Sequence, residues 1–175
     1  MQTTIQLDKL FVHTQHPGVI ALADYWPNEW ESIFARLKGK TWQTITAEDF
    51  DSQGGIMEGI QVLSAAGFVY FLPGLIRLAL REPTGRYAIV SAMLTWFARA
   101  DTEQTPALHQ TRVMAALSAE QRLYVADFLR HAQQLEPTLC SLILKSAVSN
   151  LTHGEIKPYR QQELLHELRQ QGLLK

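Results

Sequence analysis

The sequence contains little cysteine and almost no excess of either positive or negative charge. Cys140 is the only cysteine among 175 residues, so an intrachain disulfide is excluded and a reducing compartment, the cytoplasm, is expected. The 16 lysines and arginines oppose 17 acids, and the formal net charge of −1 argues against a general nucleic-acid binder. The N-terminal residues lack the basic region and the apolar run of a signal peptide.

Long uninterrupted apolar runs are also missing. The most apolar stretch covers residues 63–81 and is interrupted by Pro73, Arg77 and Arg81. A membrane-spanning helix needs about 20 consecutive apolar residues. The sequence therefore predicts no membrane span and no membrane partner.

Motifs that carry catalytic or metal chemistry are absent as well. The glycine pair Gly54-Gly55 lacks the Lys-Ser/Thr that follows in a phosphate-binding loop. His13 and His16 have no third metal ligand nearby, and Cys140 has no base at a recognisable spacing. We therefore predict no catalytic residue, no cofactor and no metal site.

The stretch at 63–81 is instead typical of a buried central helix. Ser64 has the character of an N-cap, and a helix is predicted from residue 65 onward. Pro73 leaves two alternatives, a bend within one helix or a stop followed by a second helix that starts with this proline. The residues after Pro73 are apolar nearly all round, which favours burial in a larger core.

Further helices are predicted where capping residues precede apolar stripes of helical spacing, with the capping pairs Asn28–Glu31, Thr46–Asp49 and Ser118–Gln121. They span residues 28–37, 47–51, 56–63, 87–98, 109–116 and 119–135, followed by one starting near Pro137 and one at Pro158. These patterns predict an all-α fold, a multi-helix bundle around the proline-bent helix, in a single domain over residues 1–175. Residues 1–16 hold no clean period, and three alternatives remain open there: an edge strand, a docked extended arm or a partly ordered tail.

Acidic residues concentrate in the first third of the chain. Residues 24–58 hold seven acids and three bases, a local net charge of −4, together with three of the four tryptophans. Acids steer basic partners, and tryptophan is enriched in binding hot spots. We therefore predict a partner-binding surface here, against the alternative of an ordinary solvated surface. Its candidate residues are Asp24, Trp26, Glu29, Glu31, Trp42, Glu48, Asp49, Asp51 and Glu58.

The middle of the chain carries an unusual aromatic-Leu-Pro element. Trp42-Gln-Thr-Ile-Thr, then Leu63-Ser-Ala-Ala-Gly-Phe-Val-Tyr-Phe-Leu-Pro and Leu117-Ser-Ala-Glu-Gln, resembles a family of small bacterial helical proteins of unknown function. The resemblance covers roughly residues 42–129 and implies no catalytic residues. Proteins of this size and character also look similar to immunity proteins, which guard bacteria against secreted toxins.

Three functions are compatible with these observations. The first is a cytoplasmic bacterial immunity-type protein that neutralises a cognate toxin domain, such as a basic nuclease, through the acidic, tryptophan-bearing region. The second is a small-ligand-binding protein or an enzyme with a pocket near Pro73, lined by Tyr70, Arg77 and Trp96, in which Arg77 pairs with an anion. The third is a structural or regulatory interaction module.

Overall fold

Helices account for all of the regular structure in the described residues. The structure is a computed structural model, and it describes residues 4–18, 27–98 and 108–170. Within these ranges the chain forms nine α-helices, one short 3-10 helix and no strand. The elements are α1 (Thr4–Phe11), α2 (Pro27–Leu37), the 3-10 helix (Ala47–Phe50), α3 (Ile56–Gln61), α4 (Ala65–Arg81), α5 (Arg86–Phe97), α6 (Leu108–Ala116), α7 (Ala119–Leu135), α8 (Ser141–His153) and α9 (Gln161–Gln170). The predicted all-α, multi-helix fold is confirmed.

The predicted central helix is α4. The Ser64 hydroxyl accepts a hydrogen bond from the Gly67 amide at 2.9 Å, so the predicted N-cap is confirmed. Eleven of its 17 residues are buried. The helix ends at Arg81, directly before the Glu82-Pro83 pair that disfavours helical backbone.

Pro73 lies inside this helix without ending it, so the alternative of two separate helices is wrong. A proline within a helix costs about 3 kcal/mol, because it removes one hydrogen bond and crowds the preceding turn. Leu72, Leu75 and Ile76 on either side are fully buried. Burying each such side chain contributes about 1.5–3 kcal/mol, which together outweighs the cost of the proline.

The N-terminal segment is helical over residues 4–11, which differs from two of the alternatives that the sequence left open. Residues 4–11 form α1, so an extended arm or an edge strand is wrong for this stretch. Leu7 and Phe11 are fully buried, whereas Val12 is 63% exposed. The decisive spacing is therefore the i, i+4 pair of Leu7 and Phe11, which the alternating apolar residues around it obscure.

Two compact units make up the chain, Met1–Ala92 and Met93–Lys175, and the boundary between them falls within α5. The single domain predicted over residues 1–175 stays a prediction. In the first unit α1 packs on α4, and α2, the 3-10 helix and α3 contact one another. In the second unit α7 packs along α8, which also contacts α9.

The predicted capping box at the start of α7 is confirmed. The Gln121 amide donates to the Ser118 hydroxyl at 3.1 Å, and the Ser118 amide donates to the Gln121 side chain at 2.9 Å. In contrast, α2 begins at Pro27, so Asn28 lies inside the helix and is not its cap. Proline is well suited to a first helical position because its missing N–H would have no partner there.

Candidate partner-binding surface

The side chain of Arg36 links α2 to the 3-10 helix by hydrogen bonds. The Arg36 guanidinium donates through Nη1 to the Glu48 carbonyl at 3.1 Å and through Nη2 to the Asp51 carbonyl. The Glu48 carbonyl also accepts from the Asp51 amide at 3.2 Å, so the bond from Arg36 occupies its second lone pair. Arg36 therefore sets the position of Glu48 and Asp51 relative to α2.

A glycine allows α3 to approach the same short helix closely. A Cβ atom at Gly59 would overlap the Phe50 carbonyl oxygen and lie 3.1 Å from Phe50 Cα. Phe50 is itself fully buried. Because any larger residue at 59 would push the two elements apart, Gly59 determines how near α3 lies to the 3-10 helix.

Asp49 is an internal structural residue. It is 5% exposed, and its carboxylate accepts from the Thr46 amide at 2.8 Å and from the Thr46 hydroxyl at 3.2 Å. Lys40 Nζ lies 2.5 Å from the same carboxylate and balances its charge. This confirms the predicted Thr46–Asp49 capping pattern, and it leaves Asp49 little surface to offer a partner.

Trp42 is also largely internal. It is 4% exposed, and the Arg77 guanidinium lies over its ring at 4.9 Å from the centroid. This is a cation–π arrangement, which is worth more when it is shielded from water. Trp42 therefore supports the first unit and presents little area to a partner.

Four of the predicted acids are exposed; Glu31, Glu48 and Glu58 lie on the three elements that contact one another, and Asp51 directly follows the 3-10 helix. Two apolar side chains on the same elements are partly exposed, Phe34 at 37% and Met57 at 38%. We call this set the acidic surface: Glu31, Phe34, Glu48, Asp51, Met57 and Glu58.

Phe34 and Met57 are the members that sequence analysis missed. The helical spacing predicts Phe34 on the inward stripe of α2, yet the fully buried positions are Ile33 and Leu37. Those two define the inward direction at i and i+4, and Phe34 lies about 100° away from Ile33 around the helix. The i, i+4 spacing of Ile33 and Leu37 could have indicated that Phe34 is exposed, but the same pattern is also compatible with a wider buried stripe that includes Phe34.

Three of the predicted residues are not placed by the structure. Asp24 and Trp26 lie outside the described residues, and Glu29 lies on α2 with a side chain outside the description. Among the described side chains of residues 31–58, five acids and three bases leave a net charge of −2. Lys40 and the buried Asp49 pair and cancel each other, so the remaining four acids and two bases carry the same net charge of −2.

The residues predicted around Pro73 do not form a free anion site. Tyr70 is 5% exposed, and burial raises the pKa of its hydroxyl, an effect partly opposed by a hydrogen bond with the Trp42 backbone. Arg77 Nη2 lies 2.6 Å from Asp8 Oδ1, so this chain supplies an anion of its own. Trp96 belongs to the other unit and is 6% exposed.

Metal-ligating clusters and membrane-spanning helices are both absent from the described part of the chain. Within residues 4–18, 27–98 and 108–170, no three His, Cys, Asp or Glu side chains are grouped so that they could hold a metal ion. In the same ranges, no helix combines the length and the apolar character that crossing a membrane would require.

Comparison with known proteins places the chain in a family. No curated protein and no solved structure matches it. The sequence model of DUF6714, described as a family of unknown function, matches residues 19–151. This range holds more than half of the chain, including the whole acidic surface. The chain therefore belongs to DUF6714, a family of unknown function.

Proposed function

We propose that this protein binds a basic protein partner through the acidic surface, and that the partner is the toxin domain of a bacterial toxin–immunity pair. The observation that carries the proposal is that four exposed acids lie with Phe34 and Met57 on, or directly after, three mutually contacting elements. In this proposal the protein acts in the cytoplasm and blocks its partner by occupying it, without chemistry of its own.

The two kinds of side chain have different parts in binding. Exposed acids attract a basic partner over several ångströms and raise the association rate, most strongly at low salt. Partly exposed apolar side chains lose water when the partner docks, and they slow its dissociation. Arg36 and Gly59 hold the three elements in place before binding, which lowers the entropic cost of association.

The experiment is co-expression of the tagged protein with the products of neighbouring genes, followed by measurement of binding kinetics for any product that is retained. The double variant Glu48→Lys/Glu58→Lys should lower the association rate constant about tenfold at low salt, and much less at high salt. Its control is Glu120→Lys/Glu155→Lys, which makes the same charge change at exposed acids of the other unit.

The apolar members of the surface have their own test. Phe34→Ala and Met57→Ala should each raise the dissociation rate constant up to about tenfold. Leu123→Ala is the matched control, because Leu123 is 49% exposed on α7 and lies outside the surface. Equal recovery of all neighbouring products, with no tight partner, would contradict the proposal and favour a regulatory module. Stabilisation by small anions alone would favour a ligand-binding protein.

A further inference from the structure

The helix α1 lies along one face of α4. Its two fully buried side chains, Leu7 and Phe11, are four residues apart and therefore project from the same side of the helix. The intervening Asp8 and Lys9 are exposed. This is the pattern of an amphipathic helix seated in an apolar groove, with a narrow inner edge and a polar outer face.

Polar contacts tie this N-terminal segment to α4 at two points. Asp8 pairs with Arg77, and the His16 ring meets the Tyr70 ring edge-on at 4.7 Å between centroids. Tyr70 and Arg77 are seven residues apart, about two helical turns, so they lie on the same face of α4. Residues 4–16, here called the latch, therefore cover one continuous face.

In the ion pair at this face, only one of two neighbouring guanidinium nitrogens of Arg77 bonds to Asp8. Asp8 Oδ1 accepts from Arg77 Nη2 at 2.6 Å. Arg77 Nε, on the same edge of the guanidinium, is buried and has no hydrogen-bond partner among the described residues. Arginine binds a carboxylate best with two parallel hydrogen bonds from this edge. A buried donor without a partner costs stability, so a carboxylate that reached both nitrogens would bind more strongly than Asp8 does.

The latch and the α4 face beneath it, here called the groove, also differ in whether they match the family. The latch precedes residue 19, where the match to DUF6714 begins, whereas Trp42, Tyr70 and Arg77 lie inside the matched range. The groove thus belongs to the part of the chain that fits the family, and its cover does not.

We infer that the latch is an internal ligand, and that the α4 face beneath it binds an amphipathic helix of another protein. The helix that fits carries two apolar residues at i and i+4 and an acid at i+1, the arrangement of Leu7, Asp8 and Phe11. Its carboxylate replaces Asp8 at Arg77, and its apolar pair replaces Leu7 and Phe11. Because this site recognises an acid through an arginine, it is distinct from the acidic surface and from its basic partner.

The first test uses the unaltered full chain. Amide hydrogen exchange compares the amides of residues 8–11 in α1 with those of residues 75–79 in α4. A latch that opens locally exchanges about tenfold or more faster than α4, because opening does not require global unfolding. Equal protection of the two helices would overturn the inference, since α1 would then open only when the whole unit unfolds.

The second test presents the groove to a peptide in trans. The probe is a fluorescent peptide of residues 1–18, and its anisotropy is measured against the full chain and against the full-chain variant Leu7→Ser/Phe11→Ser. Opening the latch should tighten peptide binding about tenfold or more, because the groove is no longer occupied by its own helix. A folded variant that does not bind the peptide would overturn the inference, and so would loss of cooperative unfolding in the variant.

The ion pair is tested with two peptides of equal net charge. Asp8→Asn in the peptide removes the carboxylate that faces Arg77, whereas Gln6→Lys changes the charge by the same amount at an exposed position. The Asp8→Asn peptide should bind the Leu7→Ser/Phe11→Ser chain several-fold more weakly than the Gln6→Lys peptide does. Equal affinities would show that Arg77 does not recognise the acid, and the proposed arrangement of the bound helix would fall.

Discussion

Asn150 offers the sharpest test of how the second unit is held together. It lies on α8 and is 2% exposed. Its Nδ2 donates to the Phe97 carbonyl at 2.9 Å and to the Lys157 carbonyl at 3.2 Å, and its Oδ1 accepts from the Lys157 amide at 2.9 Å. One side chain thus joins α8 to the last residue of α5 and to the segment that follows α8.

The substitution Asn150→Leu keeps the branched shape and the number of side-chain heavy atoms, and it removes all three hydrogen bonds. Each such bond contributes about 1 kcal/mol net, so we expect a loss of about 3 kcal/mol in the free energy of unfolding. This is a large part of a total of about 5–15 kcal/mol. Asn150→Asp should cost at least as much, because it places a charged oxygen against the two carbonyls that Nδ2 now serves.

The assay is urea unfolding followed by circular dichroism, with free energies obtained by linear extrapolation. Gln162→Leu is the control, since it removes an exposed amide from α9 and should change stability by less than about 0.5 kcal/mol. A loss below about 1 kcal/mol for Asn150→Leu, with an unchanged m-value, would refute the reasoning. The three backbone groups would then have found water or other partners without cost.

Three further predictions concern the first unit. Leu72→Asp should abolish cooperative unfolding, because Leu72 is fully buried and an unpaired buried charge costs several kcal/mol; an unchanged melting temperature would exclude the burial of α4. Gly74→Ala should lower the free energy of unfolding by about 1–3 kcal/mol in a urea titration, because a Cβ at this position overlaps the Trp42 carbonyl oxygen and lies 2.5 Å from Ile45 Cδ1. Gly54→Ala is the control and should be nearly neutral, because its Cβ meets only the movable side chain of Glu58. Burial raises the pKa of Tyr70, so above pH ~10 the unfolded chain loses this proton before the folded chain does, and the free energy of unfolding falls as the pH rises. Tyr70→Phe should remove this decline. An identical decline in the variant would show that another group causes it.

Local signals accounted for the features that sequence analysis predicted well. The bounds of α7, residues 119–135, agree with the prediction, and the capping residues Ser64 and Ser118 act as expected. Each of these caps is a hydrogen bond between groups three residues apart, so the information lies within one helical turn. The all-α fold follows from many such local patterns that agree with one another.

Local signals accounted less well for the candidate site. Trp42 and Asp49 have the composition of a binding surface, yet Trp42 lies beneath Arg77 and Asp49 is enclosed by Thr46 and Lys40. A tryptophan or an acid suits either environment, and only the packing of other elements around it decides which one it has. The acids of the acidic surface are exposed because, among the described residues, no element covers them.

Local sequence by itself determined the caps and bounds of α4 and α7 and which stretch is the most apolar, because those properties depend on neighbours within a few residues. Tertiary structure decided that α4 continues through Pro73, that residues 4–11 form a helix, and that Asp8 pairs with Arg77, 69 residues away. Each of these outcomes depends on burial or on a partner distant in sequence, and the free energy of such contacts exists only once the distant elements have come together.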